Sequence, residues 1–242
     1  CLENLGIWPH GTQVVYGRME KKVFAALDGA FLVNSRIKVP CEAVVIRGAM
    51  KALPEPFLFA PVTKKPKLLF ASTLDTQRGI DVLLEALSYT KEDFILTITG
   101  RGEAEEKIRA CRDQRIRFLG YLDYETYKKE LADADICINA QLANHAFAEF
   151  SFPSKIYEYL SAGKLVISSD MADVEEALGG AGIVYHDDAP EKLAEAIDRA
   201  IALKRDAAAN EKQREQILRV VEENSIGRVA EKVNHLLGKV SR

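Results

Sequence analysis

The chain has 242 residues, 48% of them hydrophobic, and its 33 Lys and Arg against 36 Asp and Glu leave a formal net charge of −3 at pH 7. That is enough apolar material to bury one large domain or one and a half smaller ones, and the mixed, faintly acidic surface excludes charge-driven binding to nucleic acid except through a local basic patch. No apolar run reaches the roughly 20 residues that span a bilayer and no stretch reads as a secretory leader; a cytoplasmic protein is expected from the cysteines, which read as reduced thiols.

Residues 1–50 predict a helix around Gln13 to Leu27 and short apolar strands at Ala30 to Val33 and Ala43 to Ile46, too little for an independent α/β domain. Pro54, Pro56, Pro61 and Pro66 then break up residues 51–66, which read as a linker. From Lys67 onward apolar runs at Leu68 to Ala71, Phe94 to Thr99, Ile116 to Leu119, Ile136 to Asn139, Leu165 to Ser168 and Ile183 to Tyr185 predict strands. Between and after them, helices are predicted at Gly79 to Ser88, Ala104 to Cys111, Tyr124 to Ala132, Ser154 to Ala162, Asp173 to Leu178 and Pro190 to Leu203. The alternation predicts an α/β fold with a doubly wound parallel sheet over residues 67–204. Residues 205–242 predict two helices broken near Ser225 to Gly227, with Ala207 to Gln213 a charged, solvated stretch. Ile217, Val220, Val221, Val229, Val233 and Leu236 offer an apolar stripe for packing back on residues 1–50.

Cys1, Cys41, Cys111 and Cys137 have no CxxC spacing, and His10, His145, His186 and His235 do not fall at ligand distances from them. Neither a metal site nor a disulfide framework is expected; Cys111 and Cys137 read as buried, reduced thiols. No Walker or dinucleotide fingerprint is present, so no cofactor is expected.

Ligands of such sheets sit at the carboxyl ends of the strands, which directs attention to the strand-to-helix loops. Ser72 to Gly79 leads into a helix and carries Thr73 and Arg78. Gly100-Arg-Gly102 suits close backbone approach, to a ligand or to a neighbouring helix. Phe118 to Leu122 carries Tyr121, and Gln141 to Pro153 is long enough for a functional loop. The densest stretch is Glu149 to Lys164. Ser151 or Ser154 can cap its helix, Pro153 suits the start, and Gly163 suits the stop. The helix start and Lys155 together present positive charge to an anion, most simply a phosphate, and Glu158 shares a face with Ser154.

Phe152-Pro-Ser-Lys-Ile-Tyr-Glu-Tyr-Leu-Ser-Ala-Gly-Lys164, followed by the apolar run Leu165 to Ile167, resembles the donor-site segment of family 4 of the glycosyltransferases, which have the GT-B fold. The resemblance implies that residues 67–204 form the Rossmann-like donor domain, residues 1–50 the end of the N-terminal domain, and residues 205–242 helices that return to it. It also implies a fragment that lacks most of the N-terminal domain and so binds donor weakly without turnover. Within the family's Glu-x7-Glu motif, Glu158 matches the Glu that holds the ribose hydroxyls. The first Glu would fall at Phe150, with Glu149 one place early. Arg78 and Gly79 match the loop cation and the Gly after it, with Thr73 where an Arg is usual; Gly102 stands beside the donor and Tyr121 beside the base. The implied partners are a nucleotide sugar and an acceptor glycan, lipid or small molecule on the missing domain, with no metal, and membrane association would rest with that domain. The implied reaction is retaining sugar transfer in a setting such as polysaccharide synthesis, no catalytic residue being assigned. A nucleotide-sugar epimerase and a silent binding partner module remain as alternatives.

Overall fold

The structure is a computed structural model that describes residues 22–240 apart from residues 24, 54, 56, 58 and 145–147, and leaves the side chain of Glu149 undescribed. The helix expected around Gln13 to Leu27 lies largely outside these residues, as does His145.

Two short strands, β1 (Gly29–Leu32) and β2 (Glu42–Val45), pair in parallel with Gly29 opposite Glu42. Six further strands make one parallel sheet: β3 (Lys67–Ala71), β4 (Ile95–Thr99), β5 (Ile116–Gly120), β6 (Ile136–Asn139), β7 (Leu165–Ser169) and β8 (Gly182–Tyr185), in the order β5-β4-β3-β6-β7-β8. The central strands read as unbroken Leu, Ile and Val runs because both their faces are covered; every residue of β7 is buried. The edge strand β5 instead exposes Arg117.

The crossovers are helices α1 (Ile80–Ala86), α2 (Glu105–Ala110), α3 (Tyr124–Asp133), α4 (Lys155–Ser161) and α5 (Val174–Leu178), and α6 (Pro190–Arg205) follows the last strand. Pro190 opens α6 at a position where a missing N–H does no harm. Strand order reverses between β3 and β6: the chain leaves β3 toward β4, and leaves β6 the other way toward β7. Their carboxyl ends therefore part and leave a crevice.

Two helices follow, α7 (Ala207–Glu223) and α8 (Ile226–Val240). Ala207 to Gln213, expected to be solvated, is the start of α7 and buries Asn210 and Gln213. The reason is long-range: Asn210 donates to the Phe59 carbonyl, and Gln213 Nε2 to the Gly180 carbonyl at 3.1 Å. Ile217, Val220 and Val221 join the main core, to which residues 1–50 contribute Met50 among the described residues, and it is α8 that lies against β1 and β2, with Leu236 buried. Cys137 is buried, and burial pushes its thiol pKa up; Cys111, expected to be buried, is only half-buried where α2 ends.

Candidate functional site

The crevice at the β3/β6 reversal is a cleft of about 530 Å³, bounded by Ala71 to Thr73 at the end of β3, Asn139 and Gln141 at the end of β6, and Ser151 to Lys155 at the start of α4. A second hollow of about 580 Å³ adjoins it and shares Ala71, Ser72, Thr73 and Lys155. It extends over the ends of β4 and β5, past Gly100, Arg101 and Tyr121. Thr73, Arg78, Tyr121, Ser151, Ser154 and Lys155, which lie up to 82 positions apart (155 − 73), thus come together around one continuous depression.

Arg78 ends a short 3-10 turn, Thr76–Arg78, whose start is capped by Asp75 accepting from the Arg78 N–H at 2.8 Å. Its guanidinium donates to Gln141 Oε1 at 2.6 Å. Gln141 is fixed in turn, since its carbonyl accepts from the buried Ser169 hydroxyl and the next N–H, of Leu142, donates to the Gln77 carbonyl at 2.9 Å. Gln141 is therefore the residue that aims Arg78, and only its place just after an apolar strand could have singled it out in the sequence.

Lys155 enters from the other side. Its ammonium donates to the Ala71 carbonyl at the end of β3 and lies 5.4 Å from the Tyr127 ring centroid. Burial lowers its pKa; Glu158 opposes that shift and Arg78 reinforces it. An ammonium has three donors, and one carbonyl engages only one of them. A bound anion would relieve the repulsion between the two cations.

Ser154 and Ser151 do not cap α4. Ser154 already has helical backbone angles, φ −55° and ψ −21°, and its side chain makes no cap hydrogen bond. The Ser151 hydroxyl is buried without a hydrogen-bond partner among the described residues, while the Ser151 carbonyl accepts from Asn34 Nδ2 at 3.2 Å. The stop agrees with expectation: the N–H groups of Gly163 and Lys164 return to the carbonyls of Leu160 and Tyr159.

Glu158 is half-buried behind Lys155 and outside the lining of either hollow; after burial itself, its charge is what most raises the pKa of the Tyr127 phenol. Gly79 and Gly102 do not line the cleft either. At Gly79, with φ +74°, a β-carbon would lie 1.8 Å from the Ala140 carbonyl oxygen, and at Gly102 it would lie 2.4 Å from that of Leu74. Chain-to-chain approach thus requires both glycines. Tyr121 is 70% exposed at the rim, under the Arg101 guanidinium at 5.0 Å. Glu149 belongs to a short 3-10 turn, Ala148–Phe150.

Further along the same sheet edge, Asp170, Glu175 and His186 bring ligand-type atoms within 4.8 Å of one another; His186 Nδ1 and Asp170 Oδ2 are 2.9 Å apart. The group lies outside the lining of the cleft and is mostly exposed.

The sequence matches the family model described as Glycosyl transferases group 1 over residues 65–202, more than half of the chain. No curated protein matches it in sequence. Among solved structures it is similar to the lipopolysaccharide outer core galactosyltransferase WaaB in apo form, with a TM-score of 0.70 and 17% identity over 96% of this chain and 65% of that one. Sucrose-phosphate synthase from Thermosynechococcus elongatus gives 0.68 and 17% over 95% and 62%. The pneumococcal O-GlcNAc transferase GtfA, solved with UDP and GlcNAc, gives 0.67 and 15% over 94% and 48%. At such identities the likeness establishes the fold, and the chain spans between about half and two thirds of each of these proteins.

Proposed function

The chain belongs to the group 1 glycosyl transferases, and from that premise we propose that it carries the donor side of a sugar transfer, holding a nucleotide diphosphate sugar in the β3/β6 cleft. The observation that carries this reading is the convergence of Arg78 and Lys155 on the cleft from opposite sides of the strand reversal. A diphosphate between them would replace one-donor contacts to Gln141 and Ala71 with charge-assisted hydrogen bonds. The same cations would stabilise charge on the departing diphosphate, with no metal in this reading.

The sugar would extend toward Ser151 and Glu149, and the base toward Arg101 and Tyr121 in the adjoining hollow. Glu158, one helical turn below Lys155, would take the ribose hydroxyls after a small movement of the Lys155 side chain. In this reading the donor is of family 4 type, transfer is retaining, and a glycan, lipid or small-molecule acceptor comes from the side that faces residues 22–50. The domain division at residues 51–66 and 204 belongs to the same proposal.

Hydrogen exchange of the protein with UDP, GDP or ADP tests the reading. One nucleotide should protect amides in 71–73, 99–101, 120–122 and 154–158; protection confined to other segments, or none with any nucleotide, would overturn it.

A further inference from the structure

A second cleft, of about 370 Å³, lies at the opposite end of the large sheet, where the amino ends of β3, β6 and β7 meet the linker and the end of α6. Its charged lining is Lys64, Lys65, Lys67, Lys164 and Lys204 against Asp133 and Asp135. The carboxylates are already engaged by one lysine: Asp133 pairs with the Lys67 ammonium at 2.6 Å, and Asp135 accepts from the Lys67 N–H at 2.9 Å. Lys65 pairs outward with Asp93 at 2.7 Å. Among the described residues, Lys64, Lys164 and Lys204 form no direct ion pair, although Asp135 attracts Lys164 and Lys204 across the hollow and Asp133 attracts Lys164.

Two of these three ammonium groups are held inward. Lys164 Nζ donates to the Ala132 carbonyl at 2.7 Å, near the end of α3. Lys204, only 3% exposed, donates to the Ala60 carbonyl at 2.9 Å and lies 3.6 Å from the Phe59 ring centroid. Each thus spends one of three donors on a carbonyl. Burial pushes the Lys204 pKa down to about 8, with Asp135 partly restoring it and Lys164 lowering it further. Burial likewise lowers Lys164. Fastening the linker to α6 accounts for Lys204, whose carbonyl also accepts from the Val62 N–H at 2.8 Å. It does not account for Lys64 and Lys164 gathering at the same hollow in a chain of net negative charge.

We propose that this cleft is a second anion site, which takes the phosphate group of a small molecule, either inorganic phosphate or a phosphate monoester. A phosphate seated there would accept from the spare donors of Lys164 and Lys204, with Lys64 closing over it from the linker. The inference rests on this cleft alone and stands or falls separately from the donor reading.

The test is an amide NMR titration of the whole chain with inorganic phosphate and, in a second arm, phenyl phosphate, at constant ionic strength set with chloride. Saturable shifts are expected in 61–67, 133–135 and 163–165. They should weaken by about tenfold or more in Lys64→Gln/Lys164→Gln and stay unchanged in Arg78→Ala, which alters only the other cleft. Lys164→Arg, which keeps the charge, should retain binding. Should the double variant fail to fold, Lys64→Gln alone gives the reading, since Lys64 is exposed and its side chain makes no hydrogen bond or ion pair among the described residues. Saturation by phenyl phosphate at lower concentration than inorganic phosphate would identify monoesters as the ligand class, and the reverse would identify the free ion. Shifts that never saturate, that appear only around 71–73 and 154–156, or that survive Lys64→Gln unchanged would overturn the proposal.

Discussion

Removal of the Asp173 carboxylate tests what holds the β1/β2 segment to the large sheet. Asp173 is 8% exposed, and one of its oxygens accepts from the Ser35 N–H at 2.9 Å, from Arg47 Nε at 2.9 Å and from Arg47 Nη2. Arg47, with its side chain 13% exposed, also reaches Glu176 at 2.9 Å, a partner that is 66% exposed. Asp173→Ala therefore strips three hydrogen bonds and leaves a largely buried guanidinium with the solvated Glu176 and the Tyr157 phenol beside it. Breaking a buried ion pair from one side costs about 3–5 kcal/mol. Because Glu176 remains, the lower end, about 3 kcal/mol, is expected here. Urea unfolding at pH 7 should show a lower midpoint with an unchanged slope, and Arg47→Ala added to Asp173→Ala should cost little more. Burial by itself would raise the Asp173 pKa, but the hydrogen bonds from Arg47 and Ser35 hold it below the ordinary value. Its contribution is thus complete above the unfolded pKa of about 3.9 and is lost as pH falls through the lower folded value. The gap between wild type and variant should close in acid. A loss below about 1 kcal/mol at pH 7, or a gap that persists at low pH, would refute the reasoning.

Three other outcomes are expected. Gly79→Ala, which places a β-carbon 1.8 Å from a carbonyl oxygen at φ +74°, should lower stability by about 2–4 kcal/mol in the same urea assay. Asp206→Ala, which removes the cap that accepts from the Ala209 N–H at 2.7 Å, should cost about 1 kcal/mol, whereas Ser154→Ala, which removes no cap bond, should stay within about 0.5 kcal/mol. Lys155→Met should leave the thermal midpoint unchanged or raised while it weakens nucleotide binding, because the ammonium is held half-buried at a lowered pKa. Wild type should gain stability relative to this variant as pH rises toward the ordinary lysine value, and a lower midpoint with binding intact would contradict the role given to Lys155.

The strands were legible in the sequence because those buried on both faces carry unbroken apolar runs; Ile136–Asn139 falls where those runs place it, and the others agree to within one residue at each end. The positions of Thr73, Arg78 and Lys155 around one cleft followed from the alternation of strands and helices, which brings strand ends together. Gln141 escaped notice because its bond to Arg78 spans 63 residues and exists only where the chain reverses direction in the sheet. Ser154 has the residue type of a cap, but its backbone is already helical. Glycine patterns also mislead by nature: a ligand and a neighbouring backbone both demand a missing β-carbon, and at Gly79 and Gly102 the neighbour is backbone. Buried Asn210 and Gln213 look solvated in sequence because the carbonyls that they satisfy lie 151 and 33 residues away.

The most direct test of the donor reading is a calorimetric titration with UDP, GDP and ADP on wild type, Arg78→Ala and Glu158→Ala. One nucleotide should bind wild type selectively, and each substitution should weaken it by roughly 1.5–3 kcal/mol, the worth of a hydrogen bond to a charged group. Equal affinities for that nucleotide in all three folded proteins would contradict the assignment of the β3/β6 cleft as its site.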